Sequence, residues 1–586
     1  MKVLSIQTGH NATVALCNKG EILGVLGQEK CDNIKNSSAF PSEAIKLLLK
    51  EVSWKISDIE KILVCGENLY PPNAFNYYLD NKGRKKDPSL FIALAKLLKN
   101  SFFGKVFPSF FEWLRLKRRG KLLRNGKKYL IEKIKELGFK DLDIMHVEHH
   151  LCHARSVFHS FVNQKVSEDS IIFTLDSAGD NTCSSVTFVN KKGEWKKLAE
   201  TPLHSSLGTI YSETTRFLGM KPLEHEYKVM GLAAYSKPKY SYKLYKSLFE
   251  PVIKLSEENN LTFKSKFNSQ NFYDYLVENA IGERFDNIAG ALQILTEKIV
   301  YKWIENGLKI TSAKNVFVSG GVFMNVKLNQ KISENKDIHK LFLMPSCGDE
   351  SNPIGACYYN AFQSGEKTKP LKNLYLGISY NKDEIYKFII KNKIDEKFDV
   401  NEYGDIEKKT SDLLINKEIV ARFYSRGEWG ARSLGNRAIL AHPSYMESFY
   451  MVNDFIKARD FWMPFAPTIL DKYAFKYLQN YNPQKLEAPH MISTFKATEK
   501  AIKDLRGALH QGDHTLRPQV LEKSINPSYY KIINLFENET GVGGLMNTSF
   551  NLHGYPLVSS PKQALLTFEN SGLKYLSLGN FLLSKK

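Results

Sequence analysis

The sequence predicts an α/β protein of two or more domains, and three observations carry that prediction. At 586 residues the chain exceeds what one hydrophobic core usually supports. Two distant stretches, residues 2–27 and 171–189, read alike as strand, polar glycine-containing turn and return strand. Such a repeat is expected where two similar halves face each other across a nucleotide cleft. A third passage, Asn315 to Asn325, reads as strand, Gly-Gly turn and helix, a pattern suited to holding phosphate at a helix N-terminus.

Taken in order, residues 2–8 and 21–27 are apolar or alternating around Asn18-Lys19-Gly20, a hairpin signal. The turn Gly9-His10-Asn11-Ala12-Thr13 pairs a glycine that lets backbone approach a phosphate with a histidine able to move a proton. Actin- and sugar-kinase-type folds hold phosphate against backbone N–H groups in this way. Residues 43–56 have the period of an amphipathic helix, and Lys61 to Gly66 reads as a buried strand. Residues 83–136 are dense in Lys and Arg, interleaved with Phe102, Phe103, Phe107, Phe110, Phe111 and Trp113. They predict a basic helical insertion whose aromatics pack on the main body, the alternative being peripheral contact with anionic lipid. Ile171 to Asp180 is a strand ending in Asp176-Ser177-Ala178-Gly179-Asp180, and Ser184 to Val189 is its partner.

Further on, Glu226 to Ala233 reads as charges leading into a compact turn, and residues 286–308 as a long amphipathic helix. A Lys/Asp-rich link is expected after Leu374-Tyr375-Leu376-Gly377. Beyond Ile419, Arg422, Arg426, Arg432, Arg437 and Arg459 crowd among Gly427, Gly430 and Gly435. Arginines in that setting suggest bidentate phosphate recognition, with pairing to nearby carboxylates as the alternative. Met546 to Asn551 offers a row of short polar side chains suited to phosphate or ribose.

Charge and cysteine content narrow the class. There are 82 Lys+Arg against 62 Asp+Glu, a net +20, which favours anionic partners, although scattered lysines also make a generally basic surface. Met1 to Ile6 reads as a strand start rather than a signal peptide, and no apolar run reaches the length of a membrane span. The 7 cysteines form no C-x-x-C pair, which speaks against a zinc ribbon or a disulfide framework. A cytoplasmic protein with reduced thiols is expected.

The stretch Glu148-His149-His150-Leu151-Cys152-His153 carries the strongest single hint of chemistry. Four residues apart on a helix, His149 and His153 share one face and can chelate one divalent metal. A zinc-peptidase reading fails because His150 stands where that motif needs glutamate. A further hard ligand is on offer in Pro345-Ser346-Cys347-Gly348-Asp349-Glu350.

Together these segments resemble the O-carbamoyltransferases of the nodulation-protein-U and antibiotic-tailoring type, from Gly9 to about Gly579. The marks are Gly9-His10, His149-His150-x-x-His153-Ala154, Lys228 to Ala233, Ser319-Gly320-Gly321-Val322 and Gly348-Asp349. Toward the C-terminus they are Gly430 to Arg437, Pro464-Phe465-Ala466-Pro467 and Asn547 to Asn551. The resemblance implies an N-terminal actin-like domain (ASKHA type, like tRNA threonylcarbamoyl-transferring proteins) at 1–375, carrying the 83–136 insertion. It implies a YrdC-like α/β domain at 376–586.

By the same resemblance, carbamoyl phosphate and ATP, with Mg2+, give a carbamoyl-adenylate in the C-terminal domain, at Arg432, Lys457, Arg459, Arg517, Asn547 and Ser549. The carbamoyl group then passes to a hydroxyl of a sugar or glycosylated acceptor in the N-terminal domain. There His10 is the implied acid–base residue. His149, His153 and Asp349 are the implied ligands of a divalent metal of the Fe2+ type, and Asn11, Lys228, Gly320, Gly321 and Asn325 the implied nucleotide contacts. The types suit the chemistry: a hydroxyl needs a base near its proton, and an adenylate leaves readily when its phosphate charge is held.

Three positions depart from the family's pattern: Asn11 replaces an aspartate, Met463 an arginine, and Gly554-Tyr555-Pro556 a Gly-Glu-Pro. A methionine cannot clamp phosphate, and Arg459 or Arg437 are the candidates to take its place. The departures keep two other readings open, a metal- and nucleotide-binding protein without adenylation and a tRNA-modifying relative. No nucleic-acid partner is expected under the main reading, and monomer and homodimer are both compatible with the sequence.

Overall fold

The computed structural model describes residues 1–69, 108–140, 143–163, 166–457 and 459–586. The first sheet begins with β1 (Lys2–Gln7), β2 (Thr13–Asn18) and β3 (Glu21–Gly27), joined by the predicted hairpin turns. After α1 (Ser42–Glu51) come β4 (Lys61–Cys65), the basic helix α2 (Pro108–Glu136) and β5 (Asp143–Val147). Strand order is β3-β2-β1-β4-β5, with β2 antiparallel to both β3 and β1, and with β4 and β5 parallel to β1. Alternation sorts the side chains into two layers. Leu4, Ile6, Val14 and Leu16 face an outer cluster with Ile45 and Leu48 of α1, whereas Val3, Ala15 and Cys17 face the centre of the molecule.

The C-terminal part of α2 packs into the outer cluster through Leu130 and Ile134, while Lys121, Arg124, Lys127 and Lys128 are exposed. Phe102, Phe103 and Phe107 lie outside the described residues, as do the side chains of Phe110, Phe111 and Trp113. Among the described residues no helix is long and apolar enough to cross a membrane.

The second half follows α3 (His149–Phe161) with β6 (Ser170–Gly179), β7 (Thr182–Val189) and β8 (Trp195–Pro202). Next are α4 (Glu226–Ala233), α5 (Phe285–Thr311), β9 (Asn315–Ser319), α6 (Val326–Ser333), β10 (Lys340–Leu343) and α7 (Asn352–Gln363). Strand order is β8-β7-β6-β9-β10, again with three antiparallel strands followed by two parallel to the first. The repeat read from the sequence is therefore a repeat of topology. One expectation gives way: residues 226–233 form helix α4 rather than a turn, because α4 lies along the long helix α5 and buries Val229 and Leu232 there.

Helices α3 and α7 lie between the two sheets. α3 packs against β6 and β9, α7 against β1, β2 and β4, and the two helices cross each other. Their closest point is Gly355, where an added Cβ would overlap the Cys152 carbonyl oxygen.

A third, eight-stranded sheet completes the chain. The predicted Lys/Asp-rich link is instead ordered: α8 (Lys382–Lys391) opens with an Asn381/Glu384 capping box and buries Ile385 and Ile389. Then come β11 (Phe398–Glu402), α9 (Ile406–Ile415), β12 (Val420–Phe423), β13 (Arg437–Ala441), β14 (Ala466–Leu470) and β15 (Gln519–Leu521). Helix α10 (Pro527–Thr540) and strands β16 (Gly544–Ser549), β17 (Tyr575–Leu578) and β18 (Phe581–Lys585) follow. The order is β11-β18-β17-β12-β13-β16-β14-β15. Residues 374–377 tie this unit to β3. Val25 N–H donates to the Leu376 carbonyl (2.9 Å), and Trp429 N–H donates to the Leu374 carbonyl (2.8 Å).

Because Gly355 sets the α3–α7 spacing, Gly355→Ala is expected to lower unfolding stability by about 1–3 kcal/mol, the usual cost of overpacking. A urea or thermal melt equal to wild type would show that the crossing has slack.

Candidate metal centre and anion cavity

α3 begins where Glu148 caps it, its carboxylate accepting the N–H groups of His150 (2.8 Å) and Leu151 (2.7 Å). The Asp180 carboxylate takes the N–H of His149 (2.9 Å). Registered in this way, His149 and His153 bring their Nε2 atoms to 3.2 Å from each other. Asp349, just before α7, lies 3.4 Å from His149 Nε2 and 3.6 Å from His153 Nε2. Asp176, near the end of β6, lies 3.5 Å from His153 Nε2. One ligand atom from each of the four side chains falls within a 4.8 Å cluster.

The far ring nitrogens test whether this group suits a cation. His153 Nδ1 faces the hydroxyls of Ser319 (3.3 Å) and Ser351 (3.4 Å), either of which can accept its proton. His149 Nδ1 faces the side-chain amide of Asn352 at 3.4 Å, and the Asn352 oxygen is buried without a partner. Turning that amide over gives the oxygen the Nδ1 proton and frees both Nε2 lone pairs for a metal. Two imidazoles and two carboxylates form a donor set that fits Fe2+, Mn2+ or Zn2+. Without a metal, burial opposes charge on His153, but Asp176 and Asp349 outweigh it and raise its pKa to about 9. Burial likewise opposes charge on Asp176, yet His153, His149 and the Gly321 N–H hold it well below the usual carboxylate range.

The cluster opens on a cavity of about 710 Å³ whose far wall comes from the third sheet. His10, Asn11, Gly321, Asn325, Asp349 and Glu350 line one side. Lys35, Arg432, Lys457, Arg459, Arg517, Asn547 and Ser549 line the other. The cations crowd one another. Burial, then Arg432 and Arg459, push the Arg517 pKa far down, and burial, then Arg459 and Lys35, do the same to Lys457. Nε atoms of Arg432 and Arg517 are buried without hydrogen-bond partners. The loop carrying Arg432 is gathered by the Glu428 carboxylate, which accepts the N–H groups of Leu434, Asn436 and Arg437 at 2.7–3.1 Å.

Not every expected residue lies on this wall. Lys228 is outside the lining and pairs with Asp460 (3.0 Å). Gly320, also outside it, has φ +104° and backs onto the Leu175 carbonyl, where a Cβ would clash. Asn325 caps α6 and exchanges both amide hydrogen bonds with Gln293. The Lys457 ammonium is taken up by the Ser549 carbonyl and hydroxyl and by two Asn551 oxygens. Three arginines read as phosphate clamps are staples instead. Arg422 donates to the Gly435 carbonyl, the Asn436 side-chain oxygen and the Ser528 hydroxyl, Arg437 to the carbonyls of Ile378, Tyr424, Ser425 and Asn436, and Arg426 to the carbonyls of Leu23, Leu376 and Gly377. Arg437 therefore does not replace the arginine absent at Met463, whereas Arg459 shares the cavity with it.

Two models of one family match the chain: the carbamoyltransferase N-terminus over residues 2–358 and the carbamoyltransferase C-terminus over residues 411–585. The chain belongs to the carbamoyltransferase family. An uncharacterised protein of Methanocaldococcus jannaschii is 28% identical over 611 residues, covering 100% of this chain and 99% of its own. The nodulation protein NolNO of Sinorhizobium fredii is 26% identical, covering 98% of this chain and 79% of its own. The 3'-hydroxymethylcephem-O-carbamoyltransferase of Amycolatopsis lactamdurans is 23% identical over 50% of this chain and 53% of its own. Among solved structures, full-length HypF in its phosphate- and nucleotide-bound form covers 62% of this chain and 55% of its own, at 13% identity and TM-score 0.32.

In this carbamoyltransferase the sequence reading overlooked Asp176 as a fourth potential ligand and Lys35 as a cavity cation. A signal for Asp176 existed, since it ends a buried strand in the half that repeats Gly9-His10. Lys35 had none, because only the fold brings the 32–38 loop beside Arg459. The departure at Asn11 also has a local reason. Its φ of +56° suits asparagine, and its amide donates to Glu350 Oε2 (3.4 Å), where an aspartate would repel.

Replacing His149, Asp176 or Asp349 by alanine is expected to abolish retention of a divalent metal, read by elemental analysis of folded protein. Wild-type metal content in all three variants would dismiss the site. Since His153 stays protonated up to about 9 in the free site, binding at neutral pH should release about one proton per ion. Calorimetry in buffers of different ionisation enthalpy measures it, and the release should vanish above that pH.

Proposed function

We propose that this carbamoyltransferase is an ATP-dependent O-carbamoyltransferase working from a single cavity. The observation that carries the reading is the shared cavity itself, cationic on the third-sheet side and bearing the histidine–aspartate cluster and His10 on the other. We read residues 1–375 as the actin-like unit and 376–586 as a YrdC-like unit. The seven free cysteines suit a reducing cytoplasm.

In this reading a water oxygen bonds to the phosphorus of carbamoyl phosphate as the bond from phosphorus to the carbamoyl oxygen breaks, giving inorganic phosphate and carbamate. A carbamate oxygen then bonds to the α-phosphorus of ATP, brought as its Mg2+ complex, as pyrophosphate departs. Arg432, Arg459 and Arg517, with Lys35 reaching across from the first sheet, hold the phosphate charges in a site of low dielectric. Lys457 shapes the Ser549–Asn551 loop beside them. The carbamoyl-adenylate then meets the acceptor hydroxyl of a sugar or glycosylated metabolite. That oxygen bonds to the carbamoyl carbon, its proton passes to His10, and AMP leaves with the electron pair of the broken bond. His149, His153, Asp176 and Asp349 would hold a metal of the Fe2+ type, which when bound supplies positive charge for the phosphate and carbonyl oxygens.

Pyrophosphate release that requires both ATP and carbamoyl phosphate tests the first half-reaction, and its absence with every acceptor supplied would sink the reading. Met463 sharpens the test. Its sulfur lies 3.4 Å from where a Cβ of Gly231 would stand, and three arginines already share its cavity. Met463→Arg should therefore overpack by about 1–3 kcal/mol and leave carbamoyl phosphate affinity no better than wild type. Tighter binding in that variant would mean that a phosphate contact is truly missing here.

A further inference from the structure

His10 is held by a segment that the transfer chemistry does not itself use. Its Nε2 lies 3.2 Å from the carbonyl oxygen of Leu223, and the Asn36 amide donates to the same oxygen at 3.2 Å. A carbonyl oxygen only accepts hydrogen bonds, so the proton of the neutral ring sits on Nε2 and the lone pair on Nδ1. Leu223 is itself in an unusual state, with φ +62°, a left-handed conformation that a leucine keeps only when its surroundings impose it. What imposes it is Glu226 on the first turn of α4. Glu226 Oε1 accepts the Leu223 N–H at 2.6 Å and is itself held by the Ser212 hydroxyl at 2.8 Å.

We propose that Glu226 is a positioning residue for His10, fixing the left-handed Leu223 peptide whose carbonyl selects the Nε2–H tautomer and leaves Nδ1 as the basic nitrogen. The role as base rests on the transfer reading above; the tautomer and its dependence on Glu226 do not. Glu226 also lines the cavity, so direct contact with an acceptor is the competing role. That role would change the acceptor KM and leave the His10 tautomer as it is.

The test is nitrogen NMR of the full-length protein labelled with [15N]histidine, with His10 assigned by difference against His10→Gln. Wild type is expected to show a single His10 tautomer with Nδ1 unprotonated. Glu226→Gln, which keeps an acceptor oxygen, should show the same. Glu226→Leu should lose the single-tautomer signature. Should that variant fail to fold, Glu226→Asp, which withdraws the acceptor by one methylene, replaces it with the same expectation. A wild-type His10 carrying its proton on Nδ1 overturns the proposal. So does an unchanged tautomer in the folded Leu or Asp variant. Pyrophosphate release by the wild type, run in parallel, reports on the transfer reading alone, so the two can fail separately.

Discussion

Two imidazole nitrogens 3.2 Å apart, walled in by two carboxylates, set the condition that the rest of the molecule meets. Lone pairs brought that close repel unless a proton or a cation lies between them, and in a buried site water cannot relieve them. Holding the arrangement requires every supporting element at once. α3 must be helical for both histidines to share a face, and β6 must carry Asp176 near its end. α7 must start directly after Asp349 and cross α3 at Gly355. The doubled sheet topology makes this possible, because it leaves a slot between two similar halves that two helices fill.

Across the cavity the constraint has the opposite sign. Cations gathered without enough carboxylates repel one another, and burial together with that repulsion pushes the Arg517 and Lys457 pKa values down. A polyanion would offset that repulsion, which is what the proposed phosphate-holding role asks of this wall. Buried arginines elsewhere in the same sheet behave differently. Arg437 lies over the Phe423 ring at 3.7 Å with both terminal nitrogens committed to carbonyls, so the same residue type in the same glycine-rich stretch serves architecture. Burial does not separate the two kinds; what separates them is whether backbone oxygens fill the guanidinium fork.

The metal-type cluster and the cation cluster share one cavity because residues 374–377 and Arg426 fasten the third sheet to the edge of the first. Lys35, carried by the first sheet's own loop, stands on the cationic wall for the same reason. Under the proposed function, reach across that seam would let a group activated on one wall be used on the other without passing through bulk water.

How much of this was legible depends on the range of the interaction. The sequence by itself determined the local features. Period-two and period-3.6 patterns placed strands together with α1 and α5, the shared face of His149 and His153 followed from helix geometry, and the glycine turns marked both halves of the repeat. Tertiary structure alone decided the rest. Asp176 joins the histidines and Lys35 joins the arginines through contacts more than twenty residues apart in sequence, which no local period encodes. Residues 226–233 became a helix because α5 offered a surface to bury Val229 and Leu232, and the lysine-rich link after Gly377 folded because Ile385 and Ile389 found a core. Which arginines clamp and which brace was likewise undetermined in one dimension, since a guanidinium's role depends on the oxygens that the completed fold sets within its reach.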